Sequence, residues 1–141
     1  MKTQKFDDLY SLKCNHLNVA KLEQCIYAFA RKLSGKTYSG GSWDSTLVEN
    51  ENGSFWFFEL NDEKSWEISC ENYLSNNIVG TRCFSMLSFL FALNYLMSEI
   101  HENENDSELL AEIIDLYYAV RDNAEKLLNE EERKIFFEVI D

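Results

Sequence analysis

Leu22, Ile26, Phe29 and Leu33 recur at helical spacing, which predicts a helix over about 16–33 with one buried stripe. Asn15 or Asn18 can cap its start, and Gly35 is placed to end it in a left-handed conformation. A polar turn follows, Thr37-Tyr38-Ser39-Gly40-Gly41-Ser42-Trp43, in which two adjacent glycines stand between aromatic side chains. The period then changes from 3.6 to 2. Strands are expected over about 44–50, 54–60 and 65–70, joined first by an Asn52-Gly53 hairpin signal. Phe55-Trp56-Phe57-Phe58 sends apolar groups to both faces, so the second strand reads as central and covered on both sides. Trp66, Ile68 and Cys70 alternate with Glu67, Ser69 and Glu71, the pattern of a half-exposed strand.

Residues 72–80 are rich in Asn and read as a loop. A long helix is expected over about 82–100, capped by Thr81 and apolar nearly all round, as the central helix of a domain is. Ser85, Ser88 and Ala92 form a small-residue side that lets another element approach closely. A third helix, about 107–123, has Asp106 as N-cap and Leu109, Ile113, Leu116, Tyr117 and Val120 as its stripe. A fourth, about 130–140, opens on Asn129 and Glu132 at capping-box spacing and packs through Ile135, Phe136, Val139 and Ile140. The predicted fold is therefore α+β: a small antiparallel meander of about three strands packed with about four helices in a single domain over 1–141. Residues 1–15 form an extended lead-in.

A chain of 141 residues is a common domain size and buries about 68% of its unfolded surface, so it needs no staple. Cys14, Cys25, Cys70 and Cys83 show no C-x-x-C spacing, and Met1 to Tyr10 carries no apolar signal region. Four reduced thiols in a cytoplasmic protein are expected. The stretch Cys83–Met97 is interrupted by Ser85, Ser88 and Asn94 and is shorter than the roughly 20 residues of a membrane span.

The net charge is −12 and unevenly spread. Residues 1–36 hold seven basic and three acidic side chains, whereas residues 37–141 hold six and twenty-two, a local net of −16. Seven acids and no base lie between Glu99 and Asp115. This excludes a phosphate-binding surface of the usual basic kind and an anionic-membrane binder. Mimicry of DNA remains open for one face. A domain about 37 Å across would face about 22 duplex charges, roughly twice what this chain's net charge supplies. Otherwise the acids simply solvate the surface.

No cofactor or metal is expected. His101-Glu102 begins like a zinc-protease motif, but Asn105 stands where the second His belongs. The acidic run 102–106 lacks the central Gly and terminal Glu of a calcium loop. Cys14 and His16 are close in sequence, but a catalytic pair needs a third, orienting group. An enzyme is not expected.

Glu23, Ile26-Tyr27, Leu33, Tyr38-Ser39-Gly40-Gly41 and Trp43 form one ordered string. Asn52-Gly53-Ser54-Phe55-Trp56, then Leu90-Phe91-Ala92-Leu93, then Tyr117, Arg121-Asp122, Phe136 and Ile140-Asp141 follow it. Together these four blocks, over residues 22–141, resemble the ArdB/KlcA antirestriction family. The resemblance implies a small α+β fold and relief of type I restriction of incoming mobile DNA, by a non-enzymatic, protein-directed route. The implied partner is a type I restriction–modification complex or an associated host factor, with no direct nucleic-acid binding. Tyr38, Gly40, Gly41 and Trp43 are the first candidates for partner contact, because an aromatic-flanked glycine turn presents a rigid surface. Alternatively, Trp43 is core and the glycines only shape the turn. Arg121-Asp122 is a surface contact or an internal ion pair, and Asp141 is a compact negative point. A small acidic immunity- or antitoxin-like binding module fits the same composition.

Overall fold

The computed structural model describes residues 2–6, 19–51, 53–68, 77–104 and 106–140. Its elements in chain order are β1 (Lys2–Phe6), α1 (Val19–Leu33), β2 (Trp43–Asn50), β3 (Gly53–Leu60), β4 (Ser65–Ile68), β5 (Asn77–Gly80), α2 (Thr81–Glu99), α3 (Ser107–Leu127) and α4 (Glu130–Ile140). A π-helical turn, Ile100–Glu104, extends α2. The fold is α+β, as the patterning predicts. The proposed Asn15 or Asn18 cap and the turn residue Asn52 lie outside the described residues.

α2 is the element around which the others pack. Cys83 to Leu90 are all buried, and so are Ala92, Leu93 and Leu96. By length and composition this helix could cross a membrane, but 67% of its most apolar window is buried inside the fold. The protein itself supplies its apolar surroundings. α1 lies against it through Leu22, Ile26, Ala30 and Leu33, with Phe29 half-buried and stacked on Phe91 at 5.8 Å. α3 adds Leu109, Ile113, Leu116, Val120 and Ala124, and α4 adds Phe136 and Val139. β3 covers α2 with an aromatic set: Trp56 and Phe58 meet Phe89 with centroids 5.6 and 6.0 Å apart. Such pairs add about 0.5–1.5 kcal/mol each beyond their area burial.

Two details of the sheet differ from the expected meander. β4 does not join β2 and β3; it pairs antiparallel with β5, whose residues were expected in a loop. The third strand of the main sheet is β1, from the stretch expected to be a mere lead-in, and the order is β1-β2-β3. β2 is therefore central and β3 is an edge. The edge is covered because α2 and α3 pack against it, and the Ser85 hydroxyl of α2 accepts from the Leu60 N–H at 2.9 Å. Close approach through Ser85 thus closes a ladder that has no next strand. In the hairpin, Asn50 pairs with Gly53, so Gly53, expected in the turn, is already in the strand at φ 129°.

The helix ends follow local chemistry. α1 closes in a Schellman motif: Gly35 takes φ 61°, its N–H donates to Lys32 O, and Lys36 N–H donates to Arg31 O at 2.9 Å. Asp106 caps α3 by accepting from Leu109 N–H at 3.1 Å. Asn129 and Glu132 form the expected capping box: Oδ1 accepts from Glu132 N–H at 2.9 Å, and Oε1 from Asn129 N–H at 3.4 Å. The second Glu132 oxygen accepts from Gly80 N–H at 2.8 Å, joining α4 to the start of α2.

Thr81 is not the cap of α2. Gly80 holds that position with no side-chain cap bond, and Thr81 is the first helical residue. Its hydroxyl turns back to the β3–β4 connection. It donates to Asp62 O at 2.7 Å and accepts from Lys64 N–H at 3.0 Å and from the Trp66 indole at 3.2 Å. Trp66 in turn stacks on Phe84 at 4.2 Å and 8°. Thr81→Val keeps the shape but leaves these donors without an acceptor. It is expected to lower unfolding stability by about 1–3 kcal/mol in urea titrations, with an unchanged slope.

Candidate functional site

The Tyr38–Trp43 turn is fastened at both ends. Trp43 Nε1 donates to Tyr38 Oη at 2.8 Å, and both rings are buried. Tyr38 N–H donates to the Ser34 hydroxyl at 2.9 Å, tying the turn to the end of α1. Asn61 N–H donates to Ser42 O at 2.7 Å, tying it to the end of β3. Tyr38 also meets Trp66 and Phe84 at 6.3 and 6.5 Å, so the turn is anchored in the aromatic part of the core. The aromatic side chains point inward. Outward the turn shows Ser39, Gly40, Gly41 and Ser42, all exposed.

Gly40 and Gly41 have φ of 126° and 150°, where L side chains are strained. A Cβ on Gly41 would lie 2.9 Å from Leu60 Cδ1, whereas one on Gly40 would meet open space. Beside the turn is an open cavity of about 550 Å³. Its walls include Tyr27, Arg31 and Lys36 from the end of α1, with Ser39, Gly40 and Gly41 from the turn. Tyr27 is exposed at the rim, 6.1 Å from Trp43.

The other expected site residues lie elsewhere. Arg121 and Asp122 are on α3, with Nη1 and Oδ1 3.6 Å apart and 32% and 65% of their side-chain surfaces open. The two form an ion pair within the protein, at its surface: neighbours on a helix point about 100° apart, so both cannot face the core. The Arg121 guanidinium sits 5.8 Å from the Phe137 ring centroid. Asp141, His16, Cys14 and Cys70 lie outside the described residues. His101 is exposed at the π-helical turn. Cys83 is buried, and burial pushes its thiol well above the usual range. Cys25 is half-buried and its thiol is also raised, first by burial and then by Glu99.

Between Glu99 and Asp115 the acids divide. Glu99 pairs with Lys21, and Asp106 is spent on a helix cap. Glu102, Glu108 and Asp115 are exposed.

Sequence reasoning missed a second polar cluster, beside a cavity of about 640 Å³ at the start of α2. Glu59 is buried in β3. Its Oε1 accepts from the Thr46 hydroxyl at 2.9 Å, and its Oε2 from Arg82 Nε at 2.7 Å. The hydrogen bond to Glu59 raises the Arg82 pKa further. A carboxylate at the end of an aromatic strand and a cation opening an apolar helix were the available signals. This cluster fastens β3 to α2. Arg82→Ala leaves the Glu59 charge enclosed with one hydroxyl, and is expected to cost about 2 kcal/mol or more in urea unfolding. Arg82 is itself partly solvated, which keeps the loss below that of a fully enclosed pair.

No family model and no curated protein matches the chain. For the turn, Gly41→Ala is expected to destabilise by about 1–3 kcal/mol, and Gly40→Ala by less, because only Gly41 adds a collision to the strained backbone. Thermal melts of the two variants compare them directly.

Proposed function

We propose that this chain is a non-enzymatic antirestriction protein of the ArdB/KlcA kind. It acts in the bacterial cytoplasm, carried by a mobile element, and relieves type I restriction by binding the restriction–modification complex or an associated host factor. The observation that carries this reading is the locked Tyr38-to-Trp43 turn, one of the four ordered blocks that together resemble the family. Two buried aromatics hold it from below, and it offers main chain and small side chains outward. Such a surface recognises a partner by shape, with little ordering cost on binding. The charge balance of −12 supports a protein rather than DNA as that partner. The exposed acids Asp115, Asp122, Glu125 and Glu138 on α3 and α4 favour a second reading, an immunity- or antitoxin-like module. Recovery of a cognate toxin in a pull-down, without restriction subunits, would select it.

Plating unmodified phage on cells with a type I system tests the first reading. Expression of the chain is expected to raise plating towards the level on a non-restricting host. Ser39→Glu, which puts bulk and a negative charge on the exposed turn, is expected to remove that relief while leaving the circular dichroism spectrum intact. Unchanged plating with folded wild-type protein present contradicts the reading.

A further inference from the structure

We propose that the cavity between the end of α1 and the Tyr38–Trp43 turn receives a short acidic peptide segment of the partner protein. This rests on reading that turn as a contact surface, and it names the chemistry of the occupant.

Charge is the first argument. The chain carries 25 acidic and 13 basic side chains, yet among the described residues none that lines this cavity is acidic. Arg31 and Lys36 line it, both are exposed, and neither forms an ion pair among the described residues. In a protein with such an excess of carboxylates, two unneutralised cations in one concavity form a local anion-attracting point.

The main chain is the second argument. Ser39, Gly40 and Gly41 make no hydrogen bond among the described residues. All three residues are exposed, and the two glycines carry no Cβ to hold a ligand off their main chain. Extended peptides are recognised in this way, by backbone hydrogen bonds flanked by side-chain pockets. The Tyr27 ring supplies an apolar wall for a side chain between the acids.

Size and surroundings select the class of ligand. A cavity of about 550 Å³ holds several side chains, so a lone inorganic anion would leave Tyr27 and most of the turn unused. A nucleic-acid strand needs a run of cations along its phosphates, whereas the described lining of this cavity supplies two, Arg31 and Lys36. Exposed ion pairs are individually weak, so binding of an isolated peptide is expected to be modest and salt-sensitive.

The test is fluorescence anisotropy of a fluorescein-labelled peptide of alternating Glu and Leu, titrated with the full chain at low and high salt. Saturable binding that weakens with salt is expected. Arg31→Glu with Lys36→Glu is expected to weaken it at least about tenfold, with an unchanged melting temperature. Lys32→Glu, at the same helix end but outside the cavity, is expected to stay within about twofold. Absence of saturable binding, equal binding by the double variant, or an equal loss from Lys32→Glu overturns the proposal. So does full displacement by stoichiometric inorganic phosphate, or by a single-stranded oligonucleotide. The plating assay fails separately. Full relief of restriction by the double variant removes this site alone, whereas peptide binding without relief keeps the site and removes the antirestriction reading.

Discussion

α2 has no polar side along most of its length, and water is excluded from nearly every residue between Cys83 and Leu93. A helix of that kind is stable only when something apolar meets it from all directions. The arrangement of α1, α3, α4 and β3 follows from that requirement, since each contributes one buried stripe or face. The aromatic content serves the same end: Phe29–Phe91, Trp56–Phe89 and Trp66–Phe84 are contacts between α2 and three different elements.

Apolar burial alone does not fix how the shell is oriented. The polar groups near the first turn of α2 do so. Thr81 holds the β3–β4 connection, Arg82 holds Glu59, Ser85 holds the last amide of β3, and Glu132 holds Gly80. These bonds are directional and are gathered between Gly80 and Ser85, about one and a half turns at the start of α2. Hydrophobic contacts tolerate sliding, whereas a buried polar group without its partner costs free energy, so this end of the helix sets the register of the whole. The Tyr38–Trp43 turn inherits its rigidity from the same region through Trp66 and Phe84.

What the sequence made legible was whatever is encoded locally. The four helices follow from apolar spacing, and Gly35, Asp106 and the Asn129–Glu132 pair mark their ends by chemistry that needs no tertiary contact. β1 was not legible, because Lys2 to Phe6 has little apolar content and becomes a strand only by pairing with β2. Ile78-Val79 was hidden among asparagines for the same reason, its partner being β4. Thr81 looked like a cap because nothing local reveals that its hydroxyl is claimed by Asp62, Lys64 and Trp66. At the site, two glycines between aromatics announced a turn, but not that both rings face inward. Arg31 and Lys36 were inconspicuous because cations at a helix C-terminus already suit its dipole.

The double use of Glu132 has a consequence for how the molecule is made. Its carboxylate starts α4 and also seats that helix on Gly80, where Phe136 and Val139 complete the lid over α2. A nascent chain emerging from the ribosome exposes its greasiest segment after α1 and β3 but before α3 and α4, which complete the cover. Until residues 130–140 are released, that segment is open to aggregation, and a holding chaperone has its natural window.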